Sequence, residues 1–280
     1  MRFDNLLIIV LGLSAFWFAV LAIVRWGGLP VRAPVPEPAV ERQPARVALF
    51  EAVGSLAAVF SAALVSGLLI AGPFARVIMR IAGAVSPIEA QGRFTEADEV
   101  VGEITLGGTF FLVVFVGLFG AVVALAVYLL ARPWLPVTAR VAGGIVGLLV
   151  MGLLGPGDPL DPENLDFALL SFDTLTVVLI IAGSVLFGMA FASLVARFDV
   201  LIRSGTRARW LLTGGFLLCL LVPLAVASLV YLGGRTLLPG RLRAILDLRP
   251  VQVVGRAVVM LAVLAGVVRI GLVAIDIIRS

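Results

Sequence analysis

The sequence predicts an all-α fold, a polytopic integral membrane helix bundle of about seven transmembrane helices with short interfacial helices beside them. Three observations carry this expectation. Mostly apolar blocks recur near 6–24, 51–72, 106–131, 137–155, 173–196, 210–232 and 251–278. Each is long enough for a helix rising about 1.5 Å per residue to cross a hydrocarbon core about 30 Å thick. The chain is 61% apolar with a mean hydropathy of +1.17, well above the roughly 45–50% apolar content of soluble domains. The connections are mostly under about 35 residues, too short to build a core of their own, so residues 1–280 are read as a single membrane domain.

The first block follows Arg2 and Asp4. It exceeds the roughly 7–15 apolar residues of a secretory signal core, and no small-x-small cleavage site follows it, so it reads as an uncleaved anchor. Arg25 and Trp26 suit an interfacial end, whereas Trp17 lies deep enough to face another helix. Residues 25–49 contain Pro30, Pro34, Pro36, Pro38 and Pro44. Repeated proline removes backbone donors and favours extended geometry, which predicts a semi-rigid tether.

Block two presents Gly54, Ala58, Ala62 and Ser66 four residues apart on one face. Small residues let helix backbones approach in lipid, so this stripe marks a packing face. Gly143 and Gly147 in block four, and Ala262 and Gly266 in block seven, are shorter versions. After block two, residues 73–85 place Arg76 and Arg80 four apart among apolar side chains. That pattern predicts a short helix lying in the headgroup region, its guanidinium groups on lipid phosphate. Thr95 and Asp98 resemble a capping box, predicting a helix that carries Glu96, Glu99 and Glu103 into block three.

Block four ends at Gly155-Pro156 and leads into Asp158, Asp161, Glu163, Asn164 and Asp166. Oxygen ligands of this kind suit calcium or magnesium, but the spacing is not that of an EF-hand and Pro159 and Pro162 stiffen the loop. These acids are therefore weak metal candidates beside the reading as a solvated loop, and no cofactor is expected. Block five closes on Arg197, Asp199, Arg203, Arg207 and Arg209. Short arginine-rich loops stay in the cytoplasm. By that rule this loop, the Pro-rich loop and the 132–140 loop lie inside the cytoplasmic membrane, with the N-terminus outside and, after seven alternating spans, the C-terminus inside. Arg235, Arg241, Arg243 and Arg249 break the pattern, since they would then lie outside. Either the bias is overridden there, with an interfacial helix after Pro239, or block six re-enters and returns to the cytoplasmic side. Pro223 predicts a kink in either case.

All 21 basic residues are arginine and histidine is absent. That excludes imidazole metal ligands and proton relays, Schiff-base lysines and the P-loop lysine. The single Cys219 cannot form an internal disulfide and reads as a small packing residue. The net charge of +4, with no exposed basic domain, argues against nucleic acid as a partner. No nucleophile-base pair can be assembled.

Arg269 is the best site candidate, because an arginine at the centre of a membrane helix costs about 2.5–3.5 kcal/mol on insertion scales. Asp276 lies seven residues on along the same face and Arg256 flanks the other end. Together they form a candidate anion site or polar cleft, against the alternative that Arg269 snorkels to an interface. The expected partners are the bilayer, its anionic lipids, and a membrane protein or further copies of this chain. The leading expectation is a non-enzymatic accessory or assembly component of a bacterial cytoplasmic membrane. A small permease or lipid-handling protein using Arg269 is the alternative, and a membrane-embedded enzyme comes third.

Overall fold

A computed structural model describes residues 3–31, 45–85, 88–90, 92–94, 100, 105–156, 160, 174–204 and 248–279. The described elements are helical. Helix α1 spans Phe3–Trp26, α2 Ala45–Ser66, α3 Gly72–Val85, α4 Leu106–Ala131, α5 Ala139–Leu154, α6 Thr174–Arg203 and α7 Arg249–Arg279. A π-helical turn, Gly67–Ala71, joins α2 to α3, and Ile88–Ala90 forms a 3-10 turn. Five helical stretches are long and apolar enough to cross a membrane: Leu6–Trp26, Val53–Val85, Leu106–Ala131, Thr174–Arg203 and Arg249–Ile277. Helix α5 is apolar but shorter. Block six at 210–232, with Cys219, Pro223 and its flanking interfacial helix, lies outside the described residues, as does most of the Pro-rich tether. Of the expected 25–49 tether, α1 claims the first two residues and α2 begins at Ala45.

Small residues decide which helices touch. On α5, Gly143 and Gly147 lie against Gly188 and Ser184 of α6, so closely that a Cβ on Gly143 would meet the backbone of Gly188 and Met189. The Ser184 hydroxyl donates to the Gly147 carbonyl at 3.0 Å. On the other side of α5, a Cβ on Gly152 would stand 2.7 Å from the Gly266 Cα of α7. The block-two stripe packs inside the chain as well. Ala58, Ala62 and Ser66 are fully buried, and Gly54 faces Ile202 of α6. The Ser66 hydroxyl donates to the Ala62 carbonyl at 2.7 Å, which satisfies it without a distant partner.

The expected interfacial helix at 73–85 is corrected. Helix α3 continues α2 through the π turn and packs against α1, α4 and α6. The physical reason is Pro73, which has no N–H to donate and crowds the carbonyl four residues back. A π turn immediately before it widens the helix, with the Gly72 N–H donating to the Gly67 carbonyl, and the path goes on. A helix running from Thr95 into block three is corrected too. Val100 forms an isolated bridge with Phe94, and α4 starts at Leu106 behind an extended Thr105, whose side chain accepts from the Gly108 N–H at 3.0 Å.

Helix directions follow from the contacts. Gly12 of α1 meets Val77 of α3, Arg132 at the end of α4 meets Ser55 of α2, and Arg76 of α3 meets Thr109 of α4. Helix α6 runs antiparallel to α5. Helix α7 runs parallel to it, with Gly255 beside Trp134 and Gly266 beside Gly152. Ser204 and Leu248 therefore stand at the same end of the bundle, the end that also holds Trp26 and the 132–138 connection. Phe3 and the end of α7 both lie at the opposite end.

Residues 27–31 cap α5. The N–H groups of Ala139 and Arg140, two of the donors a helix start leaves without internal partners, donate to the carbonyls of Leu29 at 3.0 Å and Gly27 at 2.9 Å. Val31 N–H donates to the Val137 carbonyl at 2.8 Å. Backbone thus replaces a side-chain cap at Thr138, which makes none.

Gly143→Val is expected to destabilise the bundle by about 1–3 kcal/mol through overpacking. Gly144→Val, whose Cβ would meet only the Met189 Cγ at 3.8 Å, should stay within about 0.5 kcal/mol of the parent. Thermal unfolding of the two variants in detergent compares them directly.

Candidate functional site

Arginine is the only basic side chain in this protein, so its placement defines the candidate sites. Arg76 on α3 is half-buried. Its Nε donates to the Thr109 hydroxyl at 3.0 Å, and that hydroxyl donates to the Thr105 carbonyl at 2.8 Å. The guanidinium is thereby tied to the first turn of α4. Arg80, one turn further along α3, is also half-buried and makes interactions of its own. Both expected lipid-contacting arginines thus sit on a helix packed among three others.

The opposite end holds a second set. Arg132 donates from Nη1 to the Ser55 hydroxyl at 2.8 Å and lies 5.9 Å from the Tyr128 ring centre. Arg197 stands 5.8 Å from the Trp26 ring centre, and Arg203 pairs with Asp199 at 2.8 Å on the exposed end of α6. Cation-π contacts of this kind contribute about 0.5–2 kcal/mol according to exposure.

The residues singled out on α7 are arranged differently. Helix α7 turns Gly255, Val259, Ile270 and Ile277 inward, while Arg256, Arg269 and Asp276 are all exposed. Arg269 and Asp276 make no ion pair with each other among the described residues. The acidic group Asp158, Asp161, Glu163 and Asp166 lies outside the described residues.

A groove of about 350 Å³ between the α4–α5 connection and the start of α7 is lined by Trp134, Pro250, Val251, Val254, Gly255 and Val258. The Trp134 Nε1 is buried there without a hydrogen-bond partner. Its lining offers no charged group to orient a polar substrate. Among the described residues, Glu89, Asp199 and Asp276 are carboxylates near helix or turn ends, and no group of three or more His, Cys, Asp or Glu side chains comes together.

The contact missed from the sequence is Thr109. Thirty-three residues separate it from Arg76, and a threonine just inside an apolar block carries no local mark of a distant arginine. The glycine of the Trp134–Gly255 contact was equally unmarked. No protein-family model, no curated protein and no solved structure matches the chain.

Thr109→Val is expected to cost about 1.5–3 kcal/mol, the range for a hydrogen bond to a charged group. Thr109→Ser, which keeps the hydroxyl, should recover most of it. Unfolding midpoints of the two variants in one lipid nanodisc preparation provide the comparison.

Proposed function

We propose that this chain is a non-enzymatic polytopic component of the cytoplasmic membrane, acting as an accessory or assembly subunit, with its arginine-rich connections in the cytoplasm and both termini outside. The observation that carries this reading is the apolar, small-residue interior. Ala57, Ala58, Val59, Ala62, Ala124, Ala142, Val146, Ala190 and Phe191 are fully buried, and the half-buried arginines are tied to Thr109, Ser55 and Trp26. A proton- or ion-coupled pump needs acids at mid-depth, and the described carboxylates lie near the ends.

The orientation rests on charge. Among the described residues, Arg25, Arg132, Arg140, Arg197, Arg203 and Arg249 stand at the end holding Trp26, and Arg76, Arg80 and Arg93 towards the opposite end. With Arg203 and Arg249 at one end, both count towards the same arginine-rich face under the positive-inside rule.

Arg256 and Arg269 fit the same orientation. Thirteen residue steps separate them, about 20 Å along a helix. Stems extended towards opposite interfaces cover the remainder of a core about 30 Å thick. We assign both to lipid phosphate at the two interfaces, with anionic lipid as their partner, and Asp276 to the outer face. That assignment removes the main support for a permease built on Arg269.

Native mass spectrometry of the particle extracted from its own membrane in mild detergent tests the function. The reading predicts a stoichiometric foreign subunit. A particle without one, retaining an anionic solute or a single lipid in fixed ratio, would overturn it in favour of transport or lipid handling.

A further inference from the structure

The sequence places Trp17 deep enough to face another helix, and among the described residues it faces none: it is 65% exposed. It lies nine residues before Trp26, whose ring meets Arg197 at the end of the bundle. Nine residues are about 13–14 Å of helix, which places Trp17 near the middle of a bilayer about 30 Å thick. Leucine or valine in that position needs no explanation. An indole N–H does, because hydrocarbon offers no acceptor, and tryptophan normally favours the headgroup level.

The surrounding residues form a pattern. Val10, Ser14, Trp17, Leu21 and Val24 are all exposed, and they follow one another in alternating steps of four and three. That is the 3.5-residue period of a left-handed helix-helix seam. The opposite face of α1, through Ile8, Ala15, Ala19 and Ala22, is the buried one. The seam therefore points away from the bundle along four turns of helix. Ser14 and Trp17 sit one turn apart at its centre, and neither side chain makes a hydrogen bond among the described residues.

We propose that α1 is the interface of a parallel two-fold dimer, in which the Trp17 indole N–H of each copy donates to the Ser14 hydroxyl of the other. The occupant is a second copy because the seam is self-complementary. It carries one donor and one acceptor at adjacent positions, and a two-fold axis through the seam satisfies both at once, as isologous contacts require. A lipid satisfies neither at this depth. Interhelical hydrogen bonds of this kind supply part of the association energy that the hydrophobic effect cannot supply between helices in lipid. The dimer is independent of the accessory role proposed above.

Disulfide trapping in native membranes tests it. In a Cys219→Ser background, Val10→Cys, a seam position outside the hydrogen bond, should convert under mild oxidation to a species of twice the 29.4 kDa chain mass, with Leu21→Cys as a second seam position if the first expresses poorly. Leu264→Cys, on the exposed face of α7, should remain monomeric. Trp17→Phe keeps the ring and removes the donor, and should lower energy transfer between differently tagged copies at least threefold. Failure of both seam cysteines to cross-link, equal cross-linking at position 264, or cross-linking only to a protein of different mass would overturn the dimer. Undiminished energy transfer in Trp17→Phe would overturn the hydrogen bond that defines it.

Discussion

The rest of the structure depends on the backbone contact between α5 and α6, where Gly143 and Gly147 lie on Gly188 and Ser184. Lipid tails are as apolar as leucine, so burying apolar surface does not by itself drive two helices together in a bilayer. Close approach supplies dispersion and brings polar backbone within reach of a hydroxyl. The Ser184 bond to the Gly147 carbonyl is the result. A single Cβ at Gly143 or Gly188 would collide with backbone, which cannot move aside as a side-chain tip can. With α6 fixed on one flank of α5 and α7 on the other through Gly152 and Gly266, this 16-residue helix becomes the element that orders its neighbours. Residues 27–31 then hold its start.

The main consequence is directional. Helix α6 runs against α5 and α7 runs with it, so the chain leaves α6 and enters α7 at one end of the bundle. That geometry connects packing to charge. Among the described residues, Arg25, Arg132, Arg197, Arg203 and Arg249 gather at the Trp26 end. The same geometry changes the meaning of Arg269. On an isolated apolar block it looks buried in hydrocarbon. On a helix that starts at Arg249 it stands about one core thickness from that start, facing outward.

Much of the fold was legible in the sequence. The block at 106–131 matches α4 residue for residue, and the blocks at 137–155 and 173–196 locate α5 and the first part of α6. Long apolar periodless runs are a strong signal because the bilayer demands a minimum length. The stripe through Gly54, Ala58, Ala62 and Ser66 was readable as a packing face for the same kind of reason, though its partner was not. Other features were not legible because they depend on pairs of distant residues or on global direction. Pro73 with two nearby arginines imitates an interfacial helix, and only the π turn before it reveals a continuous path. Arg76 and Thr109 meet because two helices are antiparallel. That Ser204 and Leu248 stand at one end of the bundle was not readable either, since no local pattern encodes the relative directions of α6 and α7. Trp17 reads in the sequence as deep enough to face another helix, and its exposure among the described residues is visible only once they are assembled.

The proposed arrangement puts the arginine-rich connections on the cytoplasmic face and both termini on the other. Labelling single cysteines at Ser204→Cys, Leu248→Cys and Ser280→Cys, each in a Cys219→Ser background, with a membrane-impermeant thiol reagent tests it most directly. The account predicts that position 280 reacts in intact cells, while positions 204 and 248 react only after the membrane is opened. Reaction of 204 and 248 from opposite sides, or of 280 from the same side as 204, would contradict it.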